Sequence, residues 1–338
     1  MTKTMQALGI KSYGQAIQLM TVPIPTITAN EVLVAIQATS LNPVDFKIGK
    51  GDLKMLLHYQ MPLILGNDFA GVVTQVGANV TTFKVGDAVY GRPNKQKIGT
   101  FAEYIAVAAT DIARQPTNLS FEAAAALPLV TLTAYQGLTE LMQLQPGQRI
   151  LIQAGAGGVG SMAIQLAKEL GAYVTTTASA NNQAFLQELG ADQVIDYRTT
   201  AFETVLSDYD FVFDTLGGDQ LKRAFQIVKP GGRIVSVSGI PNARFGRQYG
   251  LKKWQIGLLA MATYPLSRLE KQTQVTYDFL FMHPSGQQLA LMTDWVNRGR
   301  IQPIIDRVVP FADFQKAIDY LAAGHARGKV ILKLPAKK

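Results

Sequence analysis

The chain has 338 residues, of which 48% are hydrophobic and 17% are charged, and its formal net charge is +8. This composition excludes a disordered chain and is sufficient for two folded domains. The absence of cysteine excludes disulfides, thiol nucleophiles and cysteine-ligated zinc or iron–sulfur centres.

The positive charge is spread along the chain, and no basic helix interleaved with aromatic residues is evident. We therefore expect solvated surface, with part of the charge serving an anionic cofactor, and no nucleic-acid partner. The N-terminus lacks the apolar core of a signal peptide, and no segment reaches the roughly 20 apolar residues of a membrane span. We expect a cytoplasmic protein with no membrane span.

The first part of the chain, before residue 125, predicts an all-β domain. Short alternating apolar runs at 31–39, 72–76, 87–90 and 101–107 are separated by glycine and proline turns. This pattern is typical of a partly open barrel.

A glycine-rich turn follows the apolar run 150–154. Gly155, Gly157 and Gly160 occupy the glycine places of a G-x-G-x-x-G motif that encloses Gly158 and Val159, and a helical pattern continues to residue 170. A strand, a tight glycine turn and a helix N-terminus together form a site for a pyrophosphate, because free N–H groups and the helix dipole point at the anion. A glycine turn without a ligand is the alternative.

Strand and helix patterns alternate beyond this turn. Strands are predicted at 173–177, 193–195, 211–214 and 234–237, with helices at 182–189 and 220–228 between them. Such alternation predicts a doubly wound parallel sheet covered by helices. The apolar segment 254–264 is interpreted as a buried or interface helix. Helices at 286–297 and 311–323 and strands at 301–309 and 329–334 complete the chain and are predicted to rejoin the first domain.

Residues that directly follow the predicted strands are candidates for ligand binding. The second strand ends without an acidic residue, and Ser179 and Asn182 follow it, so nothing there would repel the 2′-phosphate of NADP(H). Leu216 and Gly217 follow the fourth strand, while Ser238 and Gly239 follow the fifth. Open α/β sheets bind ligands at this carboxyl edge.

Several segments resemble the medium-chain dehydrogenase/reductase family and its quinone oxidoreductase branch. They lie at 42–45, 71–77, 83–91, 154–160, 190–198, 213–218 and 327–330. The resemblance implies an α/β protein with a discontinuous GroES-like β-barrel catalytic domain (1–124 and 284–338) and a Rossmann doubly wound NADP-binding domain (125–283). It also implies a homodimer, and hydride transfer from NADPH in the cleft between the domains. The segment 277–282 resembles furanone and chloroplast-envelope reductases of this branch.

The same resemblance implies roles for individual residues. Asn42 and Asp45 would line the cleft near the nicotinamide, with Thr131 and Lys329 close to the cofactor. The alternatives are that Asn42 caps a turn and that Asp45 pairs with a surface lysine, Lys47.

Two tyrosines complete the candidates. Tyr197 matches a tyrosine of the family's NADPH enzymes, whereas the lysine that those enzymes often carry near Asn182 is missing. Tyr59 is a candidate proton donor, although the ordinary pKa of tyrosine, about 10, and its frequent role in packing argue against a large contribution.

The residues at two positions indicate a site without metal. Asn42 and Asn67 stand where the alcohol dehydrogenase branch has cysteine and histidine ligands, and amides are poor zinc ligands. Alcohol oxidation needs a Lewis acid, while quinones and conjugated enones spread the incoming charge themselves.

We therefore predict NADPH-dependent, zinc-independent reduction of quinones or α,β-unsaturated carbonyls. The alternatives are a zinc-independent alcohol or aldehyde reductase of the same fold, or a non-catalytic NADPH- or RNA-binding relative.

Overall fold

The computed structural model describes residues 3–324 and 326–335. The chain divides into two compact units, the first formed by residues up to Leu132 and from His283 onward, the second by Thr133–Met282. The sequence predicts these boundaries at 124/125 and 283/284, whereas residues 125–132 and His283 lie in unit 1 rather than in the nucleotide-binding half. The chain leaves unit 1 inside a helix, where no composition shift marks the boundary.

The elements before the boundary are as follows, in chain order: β1 (Thr4–Ile10), β2 (Gln18–Pro23), β3 (Glu31–Leu41), α1 (Pro43–Lys50), β4 (Leu63–Ile64), β5 (Asp68–Val76), β6 (Ala88–Gly91), β7 (Tyr104–Ala108), β8 (Ile112–Arg114), α2 (Phe121–Ala125) and α3 (Pro128–Gln136). Unit 2 contains β9 (Arg149–Ile152), α4 (Gly158–Glu169), β10 (Tyr173–Ala178), α5 (Gln183–Glu188), β11 (Gln193–Asp196), β12 (Tyr209–Asp214), α6 (Gly218–Ala224), β13 (Val228–Ser236), α7 (Ala243–Gln248), α8 (Lys253–Ala262), α9 (Tyr264–Thr273) and β14 (Thr276–Phe279). The last part of unit 1 contains α10 (Gly286–Asn297), β15 (Ile305–Pro310), α11 (Phe314–Ala322) and β16 (Lys329–Lys333).

Strand β3 organises unit 1. It pairs antiparallel with β5, β7 and β16, and all but one of its residues are buried, including the apolar run Val32–Ile36. The described strands of this sheet follow the order β15-β16-β3-β5-β6-β8, and a smaller sheet of order β2-β1-β4 accompanies it. The register places Ser40 opposite Asp68 on β5, and Leu41 opposite Val330 on β16. Three distant parts of the sequence thus meet at the end of β3.

Unit 2 is built on a parallel sheet. In the described chain its strand order is β11-β10-β9-β12-β13-β14, with parallel pairing throughout. The order reverses between β9 and β12, so the loops after these two strands diverge and leave a crevice at the carboxyl edge. The glycine turn follows β9, and Leu216 and Gly217 follow β12. The sheet therefore brings the predicted ligand-binding loops to one edge.

Helix α8 lies on the surface of unit 2. Of its ten residues only Leu259 is buried, whereas Trp254 and Met261 are 61% and 70% exposed. Of the two alternatives for segment 254–264, the buried helix is therefore wrong, because most of its apolar side chains are exposed, and the interface helix stays a prediction. None of the helices in the described residues is both long and apolar enough to cross a membrane.

Candidate active site

The turn after β9 depends on two glycines for its shape. A Cβ atom at Gly160 would overlap the carbonyl oxygen of Ala154 and lie 2.8 Å from the Cα atom of Gly155. A Cβ atom at Gly155 would overlap the Thr176 hydroxyl of β10. Gly157, at the N-cap of α4, is not crowded in this way, since the nearest atom to its Cβ position is 3.4 Å away. Two glycines thus pack the turn, and the third leaves space beside the helix.

The N-terminus of α4 fits a pyrophosphate. The helix has 12 residues, and the N–H groups of its first turn, at Gly158, Val159 and Gly160, have no carbonyl four residues earlier within the helix. Gly158 and Val159 are half-buried, so their backbone is accessible to a ligand. The free backbone N–H groups and the helix dipole face a space that the glycines leave open, and such an arrangement binds dinucleotides.

The ends of β10 and β11 place the predicted adenosine-side residues on neighbouring strands. The Tyr197 N–H donates to the Ala178 carbonyl at 3.2 Å, which joins the two strand ends. Asn182 Nδ2 donates to Ser179 Oγ at 3.0 Å. Tyr197 is 60% exposed, and the guanidinium carbon of Arg198 lies 5.9 Å from its ring centroid. The half-buried Ser179 and Asn182, together with the exposed Tyr197 and Arg198, offer hydroxyl, amide and cationic groups that are suited to a phosphate.

Asp214, which sequence reasoning missed, shapes the loop after β12. Its Oδ1 atom accepts the N–H groups of Leu216 at 3.0 Å and Gly217 at 2.8 Å, and its Oδ2 atom accepts the Ser236 hydroxyl from β13. The carboxyl is fully buried, and burial raises its pKa. Its position at the end of an apolar strand is the signal that could have identified it. Asp214 therefore fixes the backbone of two predicted site residues.

The loop after β13 is tied to the same network. Gly239 N–H donates to Ser236 Oγ at 2.7 Å, and Ser238 Oγ donates to the Thr215 carbonyl at 2.8 Å. Gly217 has φ = 72°, and a Cβ there would lie 2.6 Å from the Ser238 carbonyl oxygen, so only glycine fits. The structure thus brings the four predicted residues of these loops, Leu216, Gly217, Ser238 and Gly239, into one hydrogen-bonded assembly.

Unit 1 contains a buried group of polar side chains that we call the polar cluster. Its members are each at most 4% exposed, and they are Asn42, Asp45, Asn67, Asp68 and Lys329. The strand register described above creates it, because Asp68 begins β5 and Lys329 begins β16, both beside the end of β3. Three of the five members, Asn42, Asp45 and Lys329, are site residues predicted from the sequence.

Asp68, the second residue that sequence reasoning missed as functional, is the centre of the polar cluster. Its Oδ2 atom accepts from Ser40 Oγ at 2.7 Å, from Asn42 Nδ2 at 2.9 Å and from Lys329 Nζ at 3.2 Å. Its Oδ1 atom accepts the Leu129 N–H at 2.7 Å. One cation and three further hydrogen-bond donors compensate the free-energy cost of removing this carboxylate from water.

Asp45 lies beside this ion pair and is also fully buried. Its Oδ2 atom accepts the backbone N–H of Asn42 at 2.8 Å, and its Oδ1 atom accepts from Asn67 Nδ2 at 2.6 Å. Burial raises the pKa of the Asp45 carboxyl to about 7, and the nearby Asp68 charge acts in the same direction. A surface pair with Lys47 is excluded by this burial. Asn42 does occupy the N-cap position of α1, but its side chain serves the polar cluster.

Lys329 supplies the cation of the cluster. Its ammonium donates to Asn42 Oδ1 and to the Leu41 carbonyl, the latter at 3.3 Å, besides Asp68. Asn42 and Asn67 stand where a zinc-dependent relative would have its metal ligands. Both amides donate to carboxylates, and the Lys329 ammonium contacts Asn42. This donor set does not fit zinc. Among the described residues no group of three or more His, Cys, Asp or Glu side chains is placed to hold a metal ion.

The remaining predicted residues of unit 1 occupy different surroundings. The Tyr59 hydroxyl donates to the Lys95 carbonyl in the loop after β6, and the tyrosine is half-buried. Thr131 on α3 is fully buried, and in the described part of the chain its hydroxyl has no hydrogen-bond partner. Arg92, not predicted from sequence, is buried nearby in the fold, and burial lowers its pKa while the Asp68 and Asp45 charges oppose this.

Comparison with known proteins agrees with this architecture. Residues 28–117 match the family described as alcohol dehydrogenase GroES-like domain, and residues 189–332 match the family described as zinc-binding dehydrogenase. The chain is 35% identical to 2-methylene-furan-3-one reductase from Solanum lycopersicum, covering 97% of this chain and 79% of that protein. It is 32% identical to NADPH-dependent alkenal/one oxidoreductase, chloroplastic, from Arabidopsis thaliana, covering 98% and 80%.

A solved structure shows the same fold. The quinone oxidoreductase from Coxiella burnetii superimposes with a TM-score of 0.84 at 31% identity, covering 98% of this chain and all of that one. A barrel unit combined with a doubly wound unit bearing a glycine cradle defines a nicotinamide-dependent oxidoreductase. The chain belongs to the medium-chain dehydrogenase/reductase family, among relatives named as quinone oxidoreductases and enone reductases. The predicted fold class and family are thereby confirmed.

Proposed function

We propose that this enzyme uses NADPH to reduce quinones or α,β-unsaturated carbonyl compounds, without a metal ion. The observation that carries the proposal is the polar cluster, in which the Lys329 ammonium and two amides occupy the region where a dehydrogenase would hold zinc. The names of the relatives, which refer to a furanone, to alkenals and enones and to quinones, support the acceptor class.

A donor set that does not fit zinc favours acceptors that need little activation. Removing the proton of a simple alcohol, or polarising a simple ketone, normally requires a Lewis acid. A quinone or an enone stabilises the added electron pair in its own π-system, so hydrogen bonds and one proton suffice.

The preference for NADPH rests on the ends of β10 and β11. No Asp or Glu occurs from Thr177 to Asn182, so a 2′-phosphate meets no negative side chain on that strand end. The carboxylate of Asp196, on the next strand, accepts the Arg198 N–H at 3.0 Å within its own loop. Ser179, Asn182, Tyr197 and Arg198 are proposed to bind the 2′-phosphate. NADH would leave these groups without a ligand.

The protein's own contribution is binding and orientation. When bound, the reduced nicotinamide supplies a hydride to the electron-poor carbon of the acceptor. The glycine turn and the first turn of α4 bind the pyrophosphate, and the loops ordered by Asp214 present backbone groups to the nicotinamide end. Thr131 and Lys329 remain part of the proposed cofactor-binding set, and the unsatisfied Thr131 hydroxyl is available for a hydrogen bond.

One proton must accompany each hydride, and it ends on the acceptor oxygen or on the enone α-carbon. Asp45 is proposed to hold this proton, because its carboxyl has a pKa of about 7 and a 2.6 Å contact with the Asn67 amide. An ionised carboxyl accepts from Nδ2 of that amide. A protonated carboxyl would donate to Oδ1 after the amide rotates, and Oδ1 has no partner in the described structure. Tyr59 is the second candidate proton donor. If the Tyr59→Phe variant reduces an enone at the full rate, Tyr59 is excluded from this role.

The deciding experiment measures NADPH oxidation with a quinone, an enone and a simple ketone, together with detection of semiquinone radicals. Turnover of the quinone or enone, with little turnover of the ketone, is expected. Efficient reduction of the ketone would favour the alcohol or aldehyde reductase. Cofactor binding without turnover of any acceptor would favour the non-catalytic relative. The radical signal separates one-electron from two-electron quinone reduction.

Two further properties belong to the proposal. A homodimer is expected from family resemblance, and size-exclusion chromatography with light scattering would test it. A cytoplasmic location is expected from the sequence, and the relative from Arabidopsis is named as chloroplastic, so fractionation of the source cell is the direct test.

A further inference from the structure

The outer surface of α8 and the start of α9 carry a stripe of large apolar side chains. Trp254, Leu258, Met261 and Tyr264 are 61%, 45%, 70% and 68% exposed, and we call these four residues the α8 apolar face. The spacing of four and three residues places Trp254, Leu258 and Met261 along one side of α8, and Tyr264 follows at the start of α9. Leu259 points the other way and is buried. Contiguous exposed apolar side chains of this size indicate an interaction surface rather than ordinary solvated surface.

Exposed cations occur in the segment that carries this face. The α7–α9 segment, residues 243–273, contains six basic residues and one acidic residue. Five of the basic residues are exposed, and they are Arg247, Lys252, Lys253, Arg268 and Lys271. The acidic residue, Glu270, is bound by the sixth basic residue, Arg244, at 3.2 Å. The segment that carries the α8 apolar face therefore has a clear excess of exposed positive charge.

The positive charge of this segment indicates which kind of partner binds the α8 apolar face. In a symmetric contact between two copies, this surface would meet the same surface of the other copy, so two positively charged segments would approach each other. An anionic lipid surface instead attracts all of them and also accepts the apolar stripe. Helices with Trp and Leu on one face and Lys or Arg along its borders lie in the plane of the lipid headgroups. Trp254 and Tyr264, at the two ends of the stripe, are the side-chain types that favour this interface.

We infer that the α8 apolar face, with its border of five cations, docks the protein onto anionic lipid surfaces. The helix would lie in the interface without crossing the bilayer, and at about 1.5 Å per residue its ten residues cover roughly 15 Å of it. The long lysine and arginine stems can extend to the headgroups while the apolar face enters the acyl boundary. The inference does not depend on the acceptor proposed above.

Sedimentation of the NADPH-loaded full chain with vesicles tests this docking. We expect strong binding to phosphatidylcholine vesicles that contain phosphatidylserine, weak binding to phosphatidylcholine alone, and a steep loss of binding with added salt. Leu258→Glu should weaken binding by at least about tenfold. Lys253→Gln should weaken it about fivefold, since each cation near an anionic surface contributes to that extent. Leu19→Glu is the matched control, because Leu19 is 54% exposed in unit 1 and should leave binding unchanged.

A spectroscopic measurement locates the contact. The chain has two tryptophans, so a Trp295→Phe background reports on Trp254 alone, and its emission should shift to the blue with anionic vesicles. The melting temperature of each variant confirms that it is folded. Equal vesicle binding by wild type and Leu258→Glu would overturn the inference. So would absence of binding to anionic vesicles, or a wild-type dimer that Leu258→Glu converts to monomer without any vesicle binding.

Discussion

Replacing Lys329 by methionine removes the cation that neutralises Asp68 but keeps an unbranched chain in its place. The two side chains are 5% and 0% exposed. Loss of one partner from a buried ion pair typically costs about 3–5 kcal/mol, because the other charge remains in the interior. Asp68 keeps three donors, from Ser40, Asn42 and Leu129, so we expect the lower end, about 3 kcal/mol.

The assay is unfolding in urea, monitored by tryptophan fluorescence. Trp295 lies on α10 in unit 1 and Trp254 on α8 in unit 2, so a Trp254→Phe background isolates the unit that contains the ion pair. In thermal unfolding the same variant should melt about 6–12 °C lower, since 1 kcal/mol shifts the melting temperature of a unit of this size by about 2–4 °C.

A double variant tests whether the two charges act as a pair. Asp68→Asn combined with Lys329→Met removes both charges, and we expect it to be about 2 kcal/mol more stable than Lys329→Met alone. Lys316→Met, in an exposed pair with Asp313, is the control and should change the free energy of unfolding by less than about 0.5 kcal/mol. A loss below about 1 kcal/mol for Lys329→Met, or strictly additive effects in the double variant, would refute the reasoning.

Three other predictions concern the site. The raised pKa of Asp45 means that the folded protein binds this proton more tightly than the unfolded chain, so its contribution to stability is present at low pH and is lost as pH rises through about 7. Asp45→Asn should flatten the dependence of the melting temperature on pH between about pH 4 and pH 7, which are the unfolded and folded pKa values of this carboxyl, and an unchanged profile would contradict the assignment. Ser179→Asp should lower kcat/KM for NADPH by about 10–100-fold and leave NADH unaffected, and equal wild-type use of both cofactors would contradict NADPH preference. Gly160→Ala should weaken NADPH binding, measured by calorimetry, at least about tenfold because its Cβ overlaps the turn, whereas Gly257→Ala, with no atom within 4 Å, should not.

The parallel unit could be predicted because its signals are local. Each strand is a short apolar run followed by a turn, and the glycine spacing at 155–160 specifies a strand–turn–helix by itself. The acid-free end of β10 is likewise visible in six consecutive residues. The roles of Asn42, Asp45 and Lys329 were predicted only from the family resemblance, because no local sequence pattern distinguishes these residues.

Asp68 could not be predicted because its function depends on distant residues. In the sequence it merely follows Asn67 in a turn, and its cation stands 261 positions later. The exposure of α8 was also hidden, since apolar content does not reveal which side of a helix the rest of the fold covers. Both failures concern packing between distant segments, which periodicity does not encode.

The polar cluster also sets an order of events during synthesis. Unit 2 is one continuous stretch, Thr133–Met282, and all of its strands leave the ribosome before Lys329 is made. Asp68 emerges far earlier, but until β16 is translated its carboxylate lacks the lysine ammonium that contacts it in the folded protein. The nascent first unit therefore holds that carboxylate without its lysine partner until the last strand arrives. A chain stopped before residue 329 would complete the nucleotide-binding sheet and leave the barrel open at its charged centre.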